Sequence, residues 1–143
     1  MSMRGACRCG NMAFLWRNVD LSLVPRACTC DYCRAQDAAW LSKSGTELHV
    51  TVRNSGLHQV KKQGSGQARF HECTHCGQVV WVGARIGENC YGALNLACLR
   101  DRARFPAPRP VELTELGAQE KLLRWQQNWC CPVTVEAGGE ALQ

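Results

Sequence analysis

Cysteine constrains this chain more than any other residue type. The 143-residue sequence contains eleven cysteines, and seven of them fall into short groups in which neighbours are two or three positions apart. The groups are Cys7-Arg8-Cys9-Gly10, Cys28-Thr29-Cys30-Asp31-Tyr32-Cys33 and Cys73-Thr74-His75-Cys76-Gly77. Cysteines this close rarely meet the geometry of a disulfide with each other, whereas they suit a shared metal ion. The spacing therefore predicts zinc sites, and the length predicts one domain.

A disulfide framework is the main alternative for a chain so rich in cysteine. The odd total would leave at least one thiol unpaired, and the opening residues contain no apolar segment of the signal-peptide kind. In a reducing compartment, metal binding is the usual role of clustered thiols. We therefore expect reduced cysteines and a cytoplasmic location.

The first and third groups are typical of two halves of one tetrahedral site. Each places two thiolates on a tight turn, and the glycine that follows allows the positive φ that aims backbone N–H groups at sulfur. We expect one closed, structural zinc site, formed by Cys7, Cys9, Cys73 and Cys76.

The second group differs because Cys28, Cys30 and Cys33 crowd three thiolates into six residues. Catalytic zinc sites usually have three protein ligands and one open position, and such an ion suits capture of a thiol as its thiolate. The alternative is a closed site whose fourth ligand is one of Asp31, His71, His75, Cys90, Cys98, Cys130 or Cys131. The sequence leaves the roles of the last four cysteines open.

The fold class follows from short apolar segments separated by turn residues. Glu47–Val52 alternates with period two, as a half-buried strand does, and seven other segments between Met12 and Ala97 are strand candidates. We expect a mostly β fold, with several short antiparallel sheets around the zinc sites and a short C-terminal helix. The zinc-binding domain is assigned to residues 1–103.

Residues 104–143 are predicted to form a separate segment that follows the zinc-binding domain. Three prolines between Phe105 and Val111 predict an extended linker. Leu122, Trp125 and Trp129 then follow a helical i, i+3, i+7 pattern, so we expect a short helix that packs back onto the β domain together with the tail.

Charge and hydropathy exclude other functions. The net charge is +5, but the basic residues are scattered, so nucleic acid is an unlikely partner. No apolar segment approaches the roughly 20 residues that span a bilayer, so we expect no membrane span. The oligomeric state is left open.

The order of the three motifs, from Gly5 to about Leu99, resembles the glutathione-dependent formaldehyde-activating enzyme family, which includes centromere-protein-V-like members. The resemblance implies a fold of β-sheets around zinc and two zinc ions per chain. It also implies structural ligands at Cys7, Cys9, Cys73 and Cys76, and ligands of a catalytic zinc at Cys28, Cys30 and Cys33.

The activity that this resemblance implies is that of a carbon–sulfur lyase. The family joins glutathione and formaldehyde to give S-(hydroxymethyl)glutathione, so the expected partners are a small thiol such as glutathione and a small aldehyde. Asp31 and Tyr32 are candidates for the proton that the product oxygen needs. Many relatives have a glycine shortly after the second motif, whereas here the stretch Arg34–Trp40 has none and contains Asp37.

Two other functions stay open at this point. One is a non-catalytic zinc module that binds protein or nucleic acid, which a continuous basic patch with aromatic residues would favour. The other is a thiol redox or metal-handling protein with Cys130 and Cys131 as its reactive pair.

Overall fold

The computed structural model describes residues 1–62, 66–111, 117–137 and 140–142. These residues form twelve strands and two helices, with three short 3-10 turns between them. The strands are β1 (Ser2–Ala6), β2 (Met12–Arg17), β3 (Arg26–Cys28), β4 (Trp40–Leu41), β5 (Glu47–Val52), β6 (His58–Lys62), β7 (Arg69–Cys73), β8 (Val79–Ile86), β9 (Asn89–Asn95), β10 (Arg109–Val111), β11 (Val133–Ala137) and β12 (Glu140–Leu142). The helices are α1 (Asp31–Gln36) and α2 (Ala118–Asn128).

The strands lie in two sheets. One has the order β1-β2-β5-β11-β12, and the other has the order β10-β3-β4-β9-β8-β7-β6. Most neighbours are antiparallel, but each sheet contains one parallel pair, β5 with β11 and β3 with β10. The expectation of a mostly β fold with a short C-terminal helix is confirmed, in the form of two mixed sheets.

The C-terminal segment contributes to both sheets. β10 carries Pro110 on the edge of the seven-stranded sheet, where a residue without an N–H group can be accommodated. β11 lies between β5 and β12 in the five-stranded sheet. Residues 112–116, between β10 and α2, lie outside the described residues.

Two hydrophobic clusters lie on opposite faces of the seven-stranded sheet. The first draws buried side chains from both sheets, among them Trp16, Val50 and Trp81, and is therefore the core between them. The second packs Phe70, Val82 and Ala93 of the seven-stranded sheet against Cys33 of α1 and Trp125 of α2. The alternation of side chains along each strand produces this division.

Helix α2 is held by its aromatic residues. Trp125 and Trp129 are buried, and their rings stack with centroids 4.7 Å apart. The helix thus covers the outer face of the seven-stranded sheet. Neither helix of the described chain is long and apolar enough to cross a membrane.

Candidate metal centres and the adjoining pocket

The structure brings Cys7, Cys9, Cys73 and Cys76 together. Their four sulfur atoms lie within 4.8 Å of one another. The Sγ atoms of Cys7 and Cys9 are 3.7 Å apart, and those of Cys9 and Cys73 are 3.5 Å apart. Ligands of a tetrahedral zinc with zinc–sulfur bonds of about 2.3 Å lie about 3.8 Å from each other. The donor set and its spacing therefore fit a zinc ion.

Both turns of this cluster have the expected glycine conformation. Gly10 has φ 82° and Gly77 has φ 75°, backbone angles that residues with a Cβ rarely adopt. The turns allow backbone N–H groups to reach sulfur, as from Met12 N to Cys7 Sγ at 3.4 Å. Arg8 joins the two turns, because its backbone N–H donates to Gln78 Oε1 and its guanidinium donates to the carbonyl of Cys76, each at 2.9 Å.

The thiols of this cluster differ in acidity. Burial raises the pKa of Cys7 to about 12. Burial also opposes ionisation of Cys76, but hydrogen bonds from the backbone N–H groups of Cys9 and Gln78 and from neighbouring thiols lower the pKa of Cys76 to about 6. A cation that replaces the thiol protons would relieve the cost of holding these groups together.

Cys28, Cys30 and Cys33 form the second cluster, with sulfur atoms also within 4.8 Å of one another. Cys28 ends β3 and Cys33 lies in α1. Cys30 is the N-cap of α1, and its sulfur accepts a hydrogen bond from the backbone N–H of Cys33 at 3.5 Å. Three thiols fit a zinc ion that keeps one position for another ligand.

Within the described parts of the chain, no fourth cysteine, histidine or carboxylate completes this second cluster. The alternative ligands lie elsewhere. His71 stacks on Trp81 with ring centroids 3.8 Å apart, Cys98 donates to the carbonyl of Val79, and Cys130 accepts from Thr46 Oγ1 at 3.2 Å. Cys90 and Cys131 are half-buried and belong to neither cluster.

The second cluster opens on a pocket of about 420 Å³. Its walls are aromatic: Trp40, Phe70, Trp125 and Trp129 line it, and Phe70 packs on Trp40 with ring centroids 5.9 Å apart. The first cluster, in contrast, does not line this pocket.

Electrostatics favour a thiolate at the pocket. The Cys33 thiol donates to the sulfur of Cys28 and lowers the pKa of Cys28 to about 5, with burial opposing and nearby Lys121 assisting. For Cys33, the same hydrogen bond and burial raise the pKa.

The two candidate proton donors occupy different positions. The Tyr32 hydroxyl donates to the buried carboxylate of Glu72, and burial together with Glu72 raises the pKa of Tyr32. Asp31 is exposed and lines the pocket. Asp37 does not line the pocket; it is the C-cap of α1 and has left-handed backbone angles, φ 52° and ψ 40°.

Sequence reasoning missed the basic residues of the pocket, Arg26, Lys121 and Arg124. Burial and the nearby Arg124 guanidinium lower the pKa of Arg26. A signal was present, because Lys121, Arg124 and Asn128 follow an i, i+3, i+7 pattern on a second face of the predicted helix. Arg26 lies two residues before Cys28 in a strand and so shares its side of the sheet.

Comparisons with known proteins agree with this architecture. The model of the family described as glutathione-dependent formaldehyde-activating enzyme matches residues 2–111. A crystal structure of a Rhodobacter sphaeroides protein, a structural genomics target 23% identical to this chain, has a TM-score of 0.59 and covers 76% of this chain and 100% of its own. At that identity the likeness shows the fold alone. A comparison with curated proteins found no match.

Proposed function

This chain belongs to the glutathione-dependent formaldehyde-activating enzyme family, and on that premise we propose that it is a zinc-dependent carbon–sulfur lyase. It joins a small thiol, such as glutathione, to a small aldehyde at the cluster formed by Cys28, Cys30 and Cys33. The cluster formed by Cys7, Cys9, Cys73 and Cys76 holds a second, structural zinc ion.

One observation carries the proposal: the three-cysteine cluster opens on a pocket, and among the described residues no further cysteine, histidine or carboxylate completes the cluster. A zinc ion held there would supply a position that retains a thiol as its thiolate. The four-cysteine cluster has a full set of protein donors, which is typical of a structural site.

The residues around the pocket supply the remaining requirements of the reaction. Lys121 lies close enough to Cys28 to favour negative charge at the cluster. Trp40, Phe70 and Trp125 exclude water and hold the aldehyde near the sulfur, which makes the encounter effectively intramolecular.

Of the two candidate proton donors, Asp31 is the better placed. It is exposed and lines the pocket, whereas the Tyr32 hydroxyl donates its hydrogen bond to Glu72. We assign transfer of a proton to the product oxygen to Asp31, and orientation of α1 to Tyr32.

The test combines metal analysis with the rate at which glutathione and formaldehyde form their adduct. Reduced wild-type protein should contain up to two zinc ions per chain and accelerate adduct formation. Cys30→Ser should contain about one and lose activity by at least roughly tenfold. Cys131→Ser, which removes a half-buried thiol outside both clusters, is the matched control and should behave as wild type.

Two results would contradict the proposal. Fully reduced protein that never exceeds one zinc ion per chain would exclude the two-site arrangement. Protein that contains two zinc ions, yet accelerates adduct formation no better than Cys30→Ser with any small thiol and aldehyde, would exclude the lyase.

A further inference from the structure

One wall of the pocket is cationic. Arg26, Lys121 and Arg124 line it, and Asp31 is the one acidic side chain among the described lining residues. Within the described parts of the chain, no carboxylate lies within 4.0 Å of any of the three cations. The aromatic pocket therefore carries positive charge that has no ion-pair partner among the described residues.

The arginine of this wall is held in place by a neutral group. Arg26 is half-buried on β3, and its Nη2 donates to the hydroxyl of buried Ser42 at 2.6 Å. That hydrogen bond orients the guanidinium but does not neutralise its charge, and no carboxylate among the described residues pairs with it. Since a partly buried charge is costly unless it is paired, the arrangement favours an anionic ligand.

The lysine and the second arginine come from α2. Lys121 and Arg124 are one helical turn apart, next to Trp125, and Lys121 lies near Cys28. The cationic wall consequently lies beside the sulfur position of the three-cysteine cluster. A ligand that reaches both has its sulfur and its negative charge a short distance apart.

We propose that this cationic wall, formed by Arg26, Lys121 and Arg124, binds a carboxylate of the thiol substrate. The assignment rests on the proposed lyase function. A carboxylate matches the planar fork of a guanidinium, and the aromatic remainder of the pocket offers the aldehyde an apolar surface. The substrate class is accordingly a thiol acid with its carboxylate near the sulfur.

This assignment makes α2 a determinant of specificity. Lys121 and Arg124 lie beyond residues 2–111, the part of the chain that the family model matches. The thiol selected by this protein is thus set in part by a helix outside the matched region. Glutathione meets the requirement when one of its carboxylates reaches the wall.

The first arm of the test measures binding without the reaction. The probes are 3-(methylthio)propanoate and its amide, whose capped sulfur cannot form a thiolate, and the readout is fluorescence of the pocket tryptophans. We expect the carboxylate to bind about tenfold more tightly than the amide, the effect of one charge-assisted hydrogen bond. The double variant Lys121→Gln/Arg124→Gln should lose that preference. The matched control Arg100→Gln/Arg104→Gln removes two exposed charges outside the pocket and should keep it.

The second arm measures kinetics with 3-mercaptopropionate and with 2-mercaptoethanol. In the Lys121→Gln/Arg124→Gln variant, loss of Lys121 beside Cys28 should affect both thiols alike, and KM for the thiol acid should rise about tenfold more than KM for the neutral thiol. Equal affinity for carboxylate and amide, or a preference that survives in this variant, overturns the inference. Glyoxylate is an aldehyde that carries a carboxylate. If, with the neutral thiol, KM for glyoxylate is lower than KM for acetaldehyde and this difference depends on Lys121 and Arg124, the wall binds the aldehyde and the assignment to the thiol is overturned.

The two arms separate this inference from the proposed function. Wild-type protein that has lyase activity but binds carboxylate and amide probes equally overturns the inference alone. A carboxylate preference in protein that has no lyase activity contradicts the proposed function and leaves the carboxylate-binding wall supported.

Discussion

The two cysteine clusters use the same donor atom, yet the chain builds them in different ways. The four-cysteine cluster joins segments 64 residues apart and places Cys7 and Cys73 in the core between the sheets. The three-cysteine cluster takes all its donors from six consecutive residues on the opposite face of the seven-stranded sheet and opens on the pocket. Connectivity and access, rather than ligand type, therefore distinguish the two clusters, and this difference is the basis for proposing a structural role for one and a substrate-binding role for the other.

The largest expected effect of this difference is on folding. Cys73→Ser should give insoluble or molten protein, because the metal at the four-cysteine cluster closes a long loop and its binding energy is folding energy. Cys30→Ser should stay folded with about one zinc ion per chain. Serine is a good N-cap, so this variant keeps the start of α1 and removes only the sulfur donor.

Thermal melts and zinc analysis on the two variants decide this prediction. If Cys30→Ser loses its cooperative transition as Cys73→Ser does, both clusters are structural. The distinction between them would then be wrong, and the three-cysteine cluster would not be an open site.

A smaller effect on stability and metal affinity is expected from the contact between Glu72 and Tyr32, which links the two cysteine clusters. Glu72 adjoins Cys73 on β7 and is 3% exposed, and its carboxylate accepts from the Tyr32 hydroxyl and, at 2.9 Å, from Gln59 Nε2. Tyr32 lies between Cys30 and Cys33, so Glu72 supports the helix of the second cluster. Tyr32→Phe should lower the free energy of unfolding by about 1–2 kcal/mol and weaken metal binding at the three-cysteine cluster roughly tenfold.

Urea denaturation and competition with a chelator measure these two quantities. Tyr91→Phe removes the hydroxyl of the other tyrosine, which contacts Cys131 rather than either cluster, and serves as the control. Equal weakening of both metal sites in Tyr32→Phe would show that the hydroxyl supports the whole sheet and not the second cluster in particular.

The smallest expected effect is a change in the free energy of unfolding caused by substitutions at Asp37, the residue that ends α1. Asp37 has φ 52°, and its N–H donates to the carbonyls of Arg34 and Cys33. Because glycine adopts this conformation without steric cost, Asp37→Gly should raise the free energy of unfolding by about 1 kcal/mol, whereas Asp37→Ala should not. Urea denaturation measures both. A change in zinc content or thiol affinity in Asp37→Gly would mean that Asp37 acts on the pocket after all.

Much of the fold was predictable because its signals are local. Each of the eight predicted strands corresponds to an observed strand, although β8 continues to Ile86, beyond the predicted end at Val82, and the aromatic pattern of α2 predicted the helix. The clustering of the seven cysteines into one group of four and one of three followed from their spacing and matches the geometry. Their role as metal ligands stays a prediction.

What the sequence did not indicate depends on distant contacts. The parallel pairing of β3 with β10 and of β5 with β11 is set by how the C-terminal segment returns to the sheets, and no local pattern encodes it. Helix α1 was missed because it is only six residues long and its N-cap is a cysteine. Arg26 and Lys121 come from distant segments, so their convergence on one pocket required the fold.

The residues of strand β7 make both cysteine clusters depend on the same strand register. Phe70 and Glu72 face the pocket side, where they meet Tyr32, whereas His71 stacks on Trp81 and Cys73 belongs to the core between the sheets. A slip of one residue in strand pairing would exchange these faces, removing Cys73 from its cluster and Glu72 from Tyr32 together. A metal ion that captures Cys73 would accordingly select the correct strand register during folding, before the pocket on the other face is complete.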